Sequence, residues 1–154
     1  MKNFIHIFIL LFTFIGFSQE KYLGDGPYDQ LIIRGVTLIN GDGSPPKGPV
    51  DIVVENNIIV NIKSVGYPGV EIKDSSRPKL KQGGFELDAN GMFLLPGFID
   101  MHGHIGGTGQ GADYDYVFRL WMAHGITTVR EPGGRGVDWA VNLKKLSAEN
   151  KIVA

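Results

Sequence analysis

Apolar and polar positions divide the chain into two patterns. Residues 31–39 read Leu-Ile-Ile-Arg-Gly-Val-Thr-Leu-Ile, and residues 50–65 form a second β-branched stretch. Both show partial alternation between bounding turns, which predicts strands. Asn56-Asn57 interrupts the second stretch, and asparagine tolerates positive φ, so a two-residue hairpin turn is expected between 50–55 and 58–65. Residues 41–49 are a turn cluster. Residues 66–84 are polar and rich in Gly, Pro and Lys, and predict a long surface loop. Residues 85–88 and 91–95 are expected to return to the sheet, making the first part mostly β.

After Gly97 the period changes. Residues 92–101 are largely apolar, broken by Pro96-Gly97, and predict a buried strand running to about Met101. A Gly-rich loop follows at 103–111. Residues 113–123 have helical spacing, with Tyr116, Val117, Leu120 and Trp121 on the apolar side, Asp113 as N-cap and Gly125 as stop. Residues 126–130 predict a strand, 137–150 a second helix with Trp121 and Trp139 in the core, and 151–154 the start of a third strand. Strand, helix, strand, helix, strand implies βαβ units and a parallel sheet.

The chemistry concentrates at the end of the first of these strands, in Asp100-x-His102-x-His104. Alternation puts residues 100, 102 and 104 on one side if the strand geometry persists. Two neutral imidazoles brought together there suit a divalent ion. The bland alternative is a pair of solvated loop histidines. Asp100 is open between ligand, support for a histidine from behind, and strand capping. Arg130 and Glu131 end the next strand; they either bind a substrate carboxylate or pair with neighbours. His124 sits near a helix C-terminus, where positive charge is favourable.

The run Leu95-Pro-Gly-Phe-Ile-Asp-Met-His-Gly-His-Ile105 resembles the first barrel strand of the metal-dependent amidohydrolase superfamily, nearest the imidazolonepropionase-like and dipeptidase-like branch. The resemblance extends to 31–39, to 50–65, to Leu87-Asp-Ala-Asn-Gly91 and to Ala123-His-Gly-Ile-Thr-Thr-Val-Arg130, in the family's order. It implies an α/β fold: a small N-terminal β-sandwich-like subdomain over 19–95, followed over 96–154 by the first βα units of an incomplete TIM (β/α)8 barrel. It implies His102 and His104 as ligands of one or two divalent ions, zinc foremost, with Asp100 supporting them; Arg130 and Glu131, by their place at the strand end, remain candidates for the substrate. The family's remaining ligands and general base come from later strands, beyond Ala154. A complete barrel needs about 250 residues, so the chain is expected to be an N-terminal portion, inactive alone.

The implied reaction is hydrolysis of C–N bonds other than ordinary peptide bonds, in small-molecule cyclic amides, N-acyl amino acids or dipeptide-like substrates. Two other readings stand beside it. One is a non-catalytic secreted metal-binding remnant of such an enzyme. The other is a nicotinamide-dependent oxidoreductase, since Gly107-x-Gly109-x-x-Ala112 fits a dinucleotide fingerprint with Glu131 as ribose acid. Against it, Met101-His-Gly-His-Ile-Gly106 separates strand from glycines, where that fingerprint needs a direct turn.

Composition alters this picture in three ways. A formal net charge of −1 gives no electrostatic case for nucleic acid or an anionic surface. The absence of cysteine removes disulfides and thiolate ligands, leaving imidazole and carboxylate for a metal. Residues 1–18 have the features of a secretory signal: Lys2, an apolar run over 4–17, and Gly16-Phe-Ser18 before Gln19. The run is shorter than the roughly 20 residues a bilayer span needs. Export with cleavage after Ser18, and no membrane anchor thereafter, is the expectation.

Overall fold

The computed structural model describes residues 26–106, 111–133 and 135–153; the expected signal segment lies outside them. Strands β1 (Gln30–Leu38), β2 (Lys47–Glu55) and β3 (Ile58–Ser64) form an antiparallel meander. Asn56 and Asn57 take φ of 49° and 62°, the doubly left-handed turn that matches strand twist. The loop after β3 carries one short 3₁₀ turn, Asp74–Ser76. Strands β4 (Phe85–Asp88) and β5 (Phe93–Leu94) then pair parallel with β1, on the edge that β2 leaves open.

These five strands make one sheet in the order β3-β2-β1-β4, with β5 also on β1. Its core is Val36, Val50, Ile52 and Ala89, with Ile33, Leu38, Val54 and Leu94 packed against them. The expected sandwich does not form among the described residues. No second sheet covers this one, and the edge strand β3 leaves Ile58, Ile59, Val60 and Ile62 exposed.

One charged group is fully buried in this sheet. Asp51 follows Val50 in β2, and its carboxylate is enclosed by two guanidinium groups. Arg77 donates through Nε and Nη2, at 2.9 Å each, and Arg34 donates through Nη1 at 2.9 Å. The Gly35 N–H donates to Oδ1 at 2.9 Å, where β1 bulges between Ile33 and Val36. Arg34 also donates to the Pro78 carbonyl and pairs with Glu86. The cluster thus ties the 74–79 loop to β1, β2 and β4. A Cβ on Gly35 would meet Asn90 Oδ1 at 1.9 Å, and its φ of 73° suits only glycine well.

The second half is a two-stranded parallel sheet with two helices. Strand β6 (Phe98–Asp100) pairs with β7 (Ile126–Val129) through Phe98↔Ile126, Ile99↔Thr128 and Asp100↔Val129. Helix α1 (Tyr114–Ala123) joins them, and α2 (Val137–Ala148) follows β7. Asp113 stands at the N-cap of α1 without a side-chain capping bond, and Gly125, at φ 76°, ends the turn. The core here is Ile105, Phe118, Leu143 and Ile152, flanked by Tyr114, Trp121, Trp139 and Leu146.

Three expectations change. The inward face of α1 runs through Tyr114, Phe118 and Trp121, one step from the expected stripe, and Tyr116 and Leu120 are exposed. The apolar stretch 92–101 is not buried: Phe93, Phe98, Ile99 and Met101 are each about 60% exposed, and among the described residues β6 has β7 as its one strand neighbour. Residues 151–153 turn instead of extending. Asn150 is left-handed (φ 53°), Lys151 N–H bonds the Leu146 carbonyl and Asn150 N–H the Ser147 carbonyl. That paired arrangement closes the C-terminus of α2, and Ile152 folds back into the core.

The Asp51 cluster sets a stability prediction. Burial pushes its carboxyl up, but the Arg77, Arg34 and Gly35 hydrogen bonds outweigh this and hold it below the ordinary value. A depressed folded value means stabilisation that is present above the unfolded pKa, about 4, and lost as pH falls through the folded one. Asp51→Asn should cost about 3–5 kcal/mol at pH 7, by removing the carboxylate that Arg77 pairs with and one of the two that Arg34 pairs with. Urea unfolding across a pH series should show a smaller acid-dependent loss below pH ~4 in this variant than in the wild type. An identical loss in both proteins would remove Asp51 as its source.

Candidate metal centre

The site is built where β6 and β7 end side by side. Their ladder continues past the strands: Arg130 N–H bonds the Asp100 carbonyl at 2.8 Å, and Gly103 N–H bonds the Arg130 carbonyl at 3.2 Å. The chain after Asp100 leaves the strand, so simple alternation no longer places residues 102 and 104. Asp100 Oδ1 instead accepts the His102 N–H at 2.9 Å, bending the backbone. The outcome is still convergent. The His102 and His104 rings lie edge to face, with centroids 5.5 Å apart.

Gly103 between them is buried for a reason. A Cβ there would lie 2.7 Å from Val129 Cγ1, 3.1 Å from Trp121 Cζ2 and 3.3 Å from Asp100 Oδ2. The backbone between the histidines is pressed onto β7 and α1 and has no room for a side chain. Gly97, before β6, is equally confined, with Thr127 Oγ1 only 2.1 Å from where its Cβ would stand.

His104 Nδ1 lies 2.8 Å from Glu131 Oε1. The other oxygen, Oε2, accepts the Ile105 N–H at 2.8 Å, and Oε1 also accepts the Gly133 N–H at 3.2 Å. Burial pushes the Glu131 carboxyl up, but the Ile105, His104 and Gly133 hydrogen bonds outweigh it and hold it below the ordinary value. Arg130 is exposed and folds back, donating from Nη1 to the Met101 carbonyl at 3.3 Å. Both residues expected at a substrate are therefore engaged within the chain. His124 caps α1, its Nδ1 2.8 Å from the Leu120 carbonyl. Glycines 107 and 109 of the dinucleotide fingerprint lie outside the described residues.

In kind, the donors fit a divalent ion: two adjacent imidazoles, one braced by a carboxylate, as in carboxylate–histidine–metal arrangements. In number they fall short of a closed site. Among the described residues no group of three or more His, Cys, Asp or Glu side chains is placed to hold a metal. The sequence left Glu131 open between a substrate carboxylate and pairing with neighbours, without naming His104 as the neighbour. The position of Glu131 beside the His-Gly-His turn, two residues past the Asp100↔Val129 pair, accounts for its contact with His104.

A parallel strand pair joined by a helix, with a turn bearing two histidines at its carboxyl end, is the local geometry of a βα step in barrels whose sites lie at the strand ends. No protein-family model matches the chain, but curated proteins do. It is 33% identical over 76 residues to a dihydroorotase of Thermoanaerobacter sp. (strain X514), 49% of this chain and 14% of that one. It is 32% identical over 102 residues to an N-acetylglucosamine-6-phosphate deacetylase of Lysinibacillus sphaericus, 66% of this chain and 22% of that one. An N-acyl-D-aspartate deacylase of Alcaligenes xylosoxydans xylosoxydans matches at 34% over 89 residues, 56% and 15% of the two chains.

Among solved structures, an amidohydrolase aligns with TM-score 0.58 at 19% identity, covering 80% of this chain and 29% of that one. Molinate hydrolase aligns with TM-score 0.55 at 21% identity, covering 81% and 28%. At such identities the structural likeness is one of fold. These relatives all belong to the amidohydrolase superfamily, and this chain is similar to them over the matched residues. It spans 14–22% of the length of the curated relatives.

Gly103 offers a direct check on the packing that forms the turn. Gly103→Ala should destabilise by about 1–3 kcal/mol through overpacking against Val129 and Trp121. Chemical denaturation measures this, and an unchanged midpoint would contradict the close fit.

Proposed function

We propose that the protein is a metal-dependent hydrolase of C–N bonds other than ordinary peptide bonds, in which His102 and His104 hold a divalent ion. The observation that carries this reading is the convergence of the two imidazoles at the carboxyl end of β6, 5.5 Å apart at their centroids. Zinc is the proposed ion, with one or two bound, since imidazole donors suit it. When bound, such an ion makes water nucleophilic at neutral pH and polarises a carbonyl oxygen.

The chain's own residues do the positioning. Asp100 fixes the bend before His102, Gly103 lets the turn lie flat on β7, and the β6–β7 pairing keeps both rings at one end of the sheet. The proposed substrates are small cyclic amides, N-acyl amino acids or dipeptide-like amides. The relatives named dihydroorotase, N-acyl-D-aspartate deacylase and deacetylase support that class. Arg130, exposed at the end of the strand pair, is the proposed contact for a substrate carboxylate.

Two ligands and no general base in the described residues favour a second element of the reading: the 154-residue chain alone is inactive. A non-catalytic metal-binding protein is the competing interpretation, favoured by the same shortage of ligands. Metal analysis and an amide-hydrolysis assay on the purified chain address both. His102→Ala/His104→Ala should lose bound zinc, and unchanged metal content would sink the ligand assignment. Turnover by the unmodified 154-residue chain would overturn its proposed inactivity and remove the non-catalytic alternative.

We also propose export, on the strength of the residues 1–18 pattern. No helix among the described residues is long and apolar enough to cross a membrane. Mass spectrometry of the exported protein should find its N-terminus at Gln19; an intact Met1 would refute cleavage after Ser18.

A further inference from the structure

We infer that Glu131 is the positioning residue for His104, holding the imidazole with its proton on Nδ1 and its Nε2 lone pair free for a metal ion. This rests on the metal reading of His102 and His104 given above. The sequence left Glu131 open between substrate contact and pairing with neighbours, and the second of these carries the inference. Its side chain is only 12% exposed, and both oxygens already have partners.

The carboxylate is itself fixed before it fixes anything else. Oε2 accepts the Ile105 N–H at 2.8 Å, and Oε1 accepts the Gly133 N–H at 3.2 Å. Rotating it away from the histidine would strand these backbone donors. An ionised carboxylate only accepts, so the ring nitrogen 2.8 Å from Oε1 must be the one bearing hydrogen. In neutral imidazole the other nitrogen is then the acceptor, which is the metal-binding atom. Ile105 adjoins His104 in sequence, so one carboxylate holds both the ring and the backbone next to it.

An amide cannot substitute. Glutamine at this position has one acceptor oxygen, while donors approach from His104 on one side and Ile105 on the other. With its oxygen on the Ile105 N–H, its NH₂ would face His104 Nδ1 and could bond it only if the ring proton moved to Nε2, the nitrogen needed for the metal.

Two measurements test the inference. In metal-free wild type at about pH 8, where imidazole is neutral, long-range ¹H–¹⁵N correlation spectra of His104 should show the proton on Nδ1. A proton on Nε2 overturns the inference, and this readout needs no variant. Titration with Zn²⁺ alone should then show Glu131→Gln binding about 10–100-fold more weakly than wild type. Wild-type affinity in that variant, with an unchanged tautomer at His104, also overturns it. His104→Ala separates the two readings. If it binds zinc as well as wild type, the metal assignment fails, while the location of the His104 proton still decides whether Glu131 holds the ring.

Discussion

The parallel pairing of β6 with β7 is the constraint on which the site depends. Three registered residue pairs, extended by the Arg130–Asp100 and Gly103–Arg130 hydrogen bonds, bring the turn after one strand beside the turn after the other. Parallel strands need a crossover, here α1, so the two turns are about 30 residues apart in sequence but adjacent in space. That adjacency places Glu131 against His104. Glycine at 97 and 103 permits it, since a side chain at either point would enter Thr127 or Val129.

The two halves are stabilised by different means. In the five-stranded sheet an aliphatic cluster is joined to a fully buried aspartate with three hydrogen-bonding neighbours. Such an ion cluster is weak evidence of net stability, because desolvation of the charges offsets much of their attraction. Its value is in specificity. Arg34 reaches Asp51, the Pro78 carbonyl and Glu86 together, so it fixes a long loop to three strands. The second half has no comparable cluster in its core, which is built of aromatic and aliphatic contacts between the helices and the site turn.

Much of this architecture was legible in the sequence. The Asn56-Asn57 turn, the Gly125 helix stop and the strand–helix–strand order follow from local backbone preferences, and the structure shows each of them. What was not legible depended on partners distant in sequence. Nothing in the local pattern around Asp51 pointed to Arg34 and Arg77 as its partners, 17 and 26 residues away in the chain. The inward face of α1 shifted to Phe118 because tertiary packing, not periodicity alone, selects among several apolar residues on a helix. Residues 151–153 looked extended by composition, yet Lys151 is used to close α2. At the site, the histidine pair was visible as a motif, whereas the partner of His104 required the strand register.

The exposed face of β6 bears on how firmly the site is held. Phe98, Ile99 and Met101 are largely in water, and among the described residues β7 is the one strand beside them. Burial of an aliphatic or aromatic side chain contributes about 1.5–3 kcal/mol, and these residues contribute little of it. The rings of His102 and His104 therefore rest on a strand pair secured mainly from one side, through Ile105, Phe118 and Trp121. Under that condition local hydrogen bonds carry more of the ordering than they would in a fully covered sheet. Asp100 to His102 N–H, and Glu131 to His104 and Ile105, are those bonds. Two carboxylates, one before the histidine pair and one across from it, thus keep in place a turn that apolar packing alone leaves half supported.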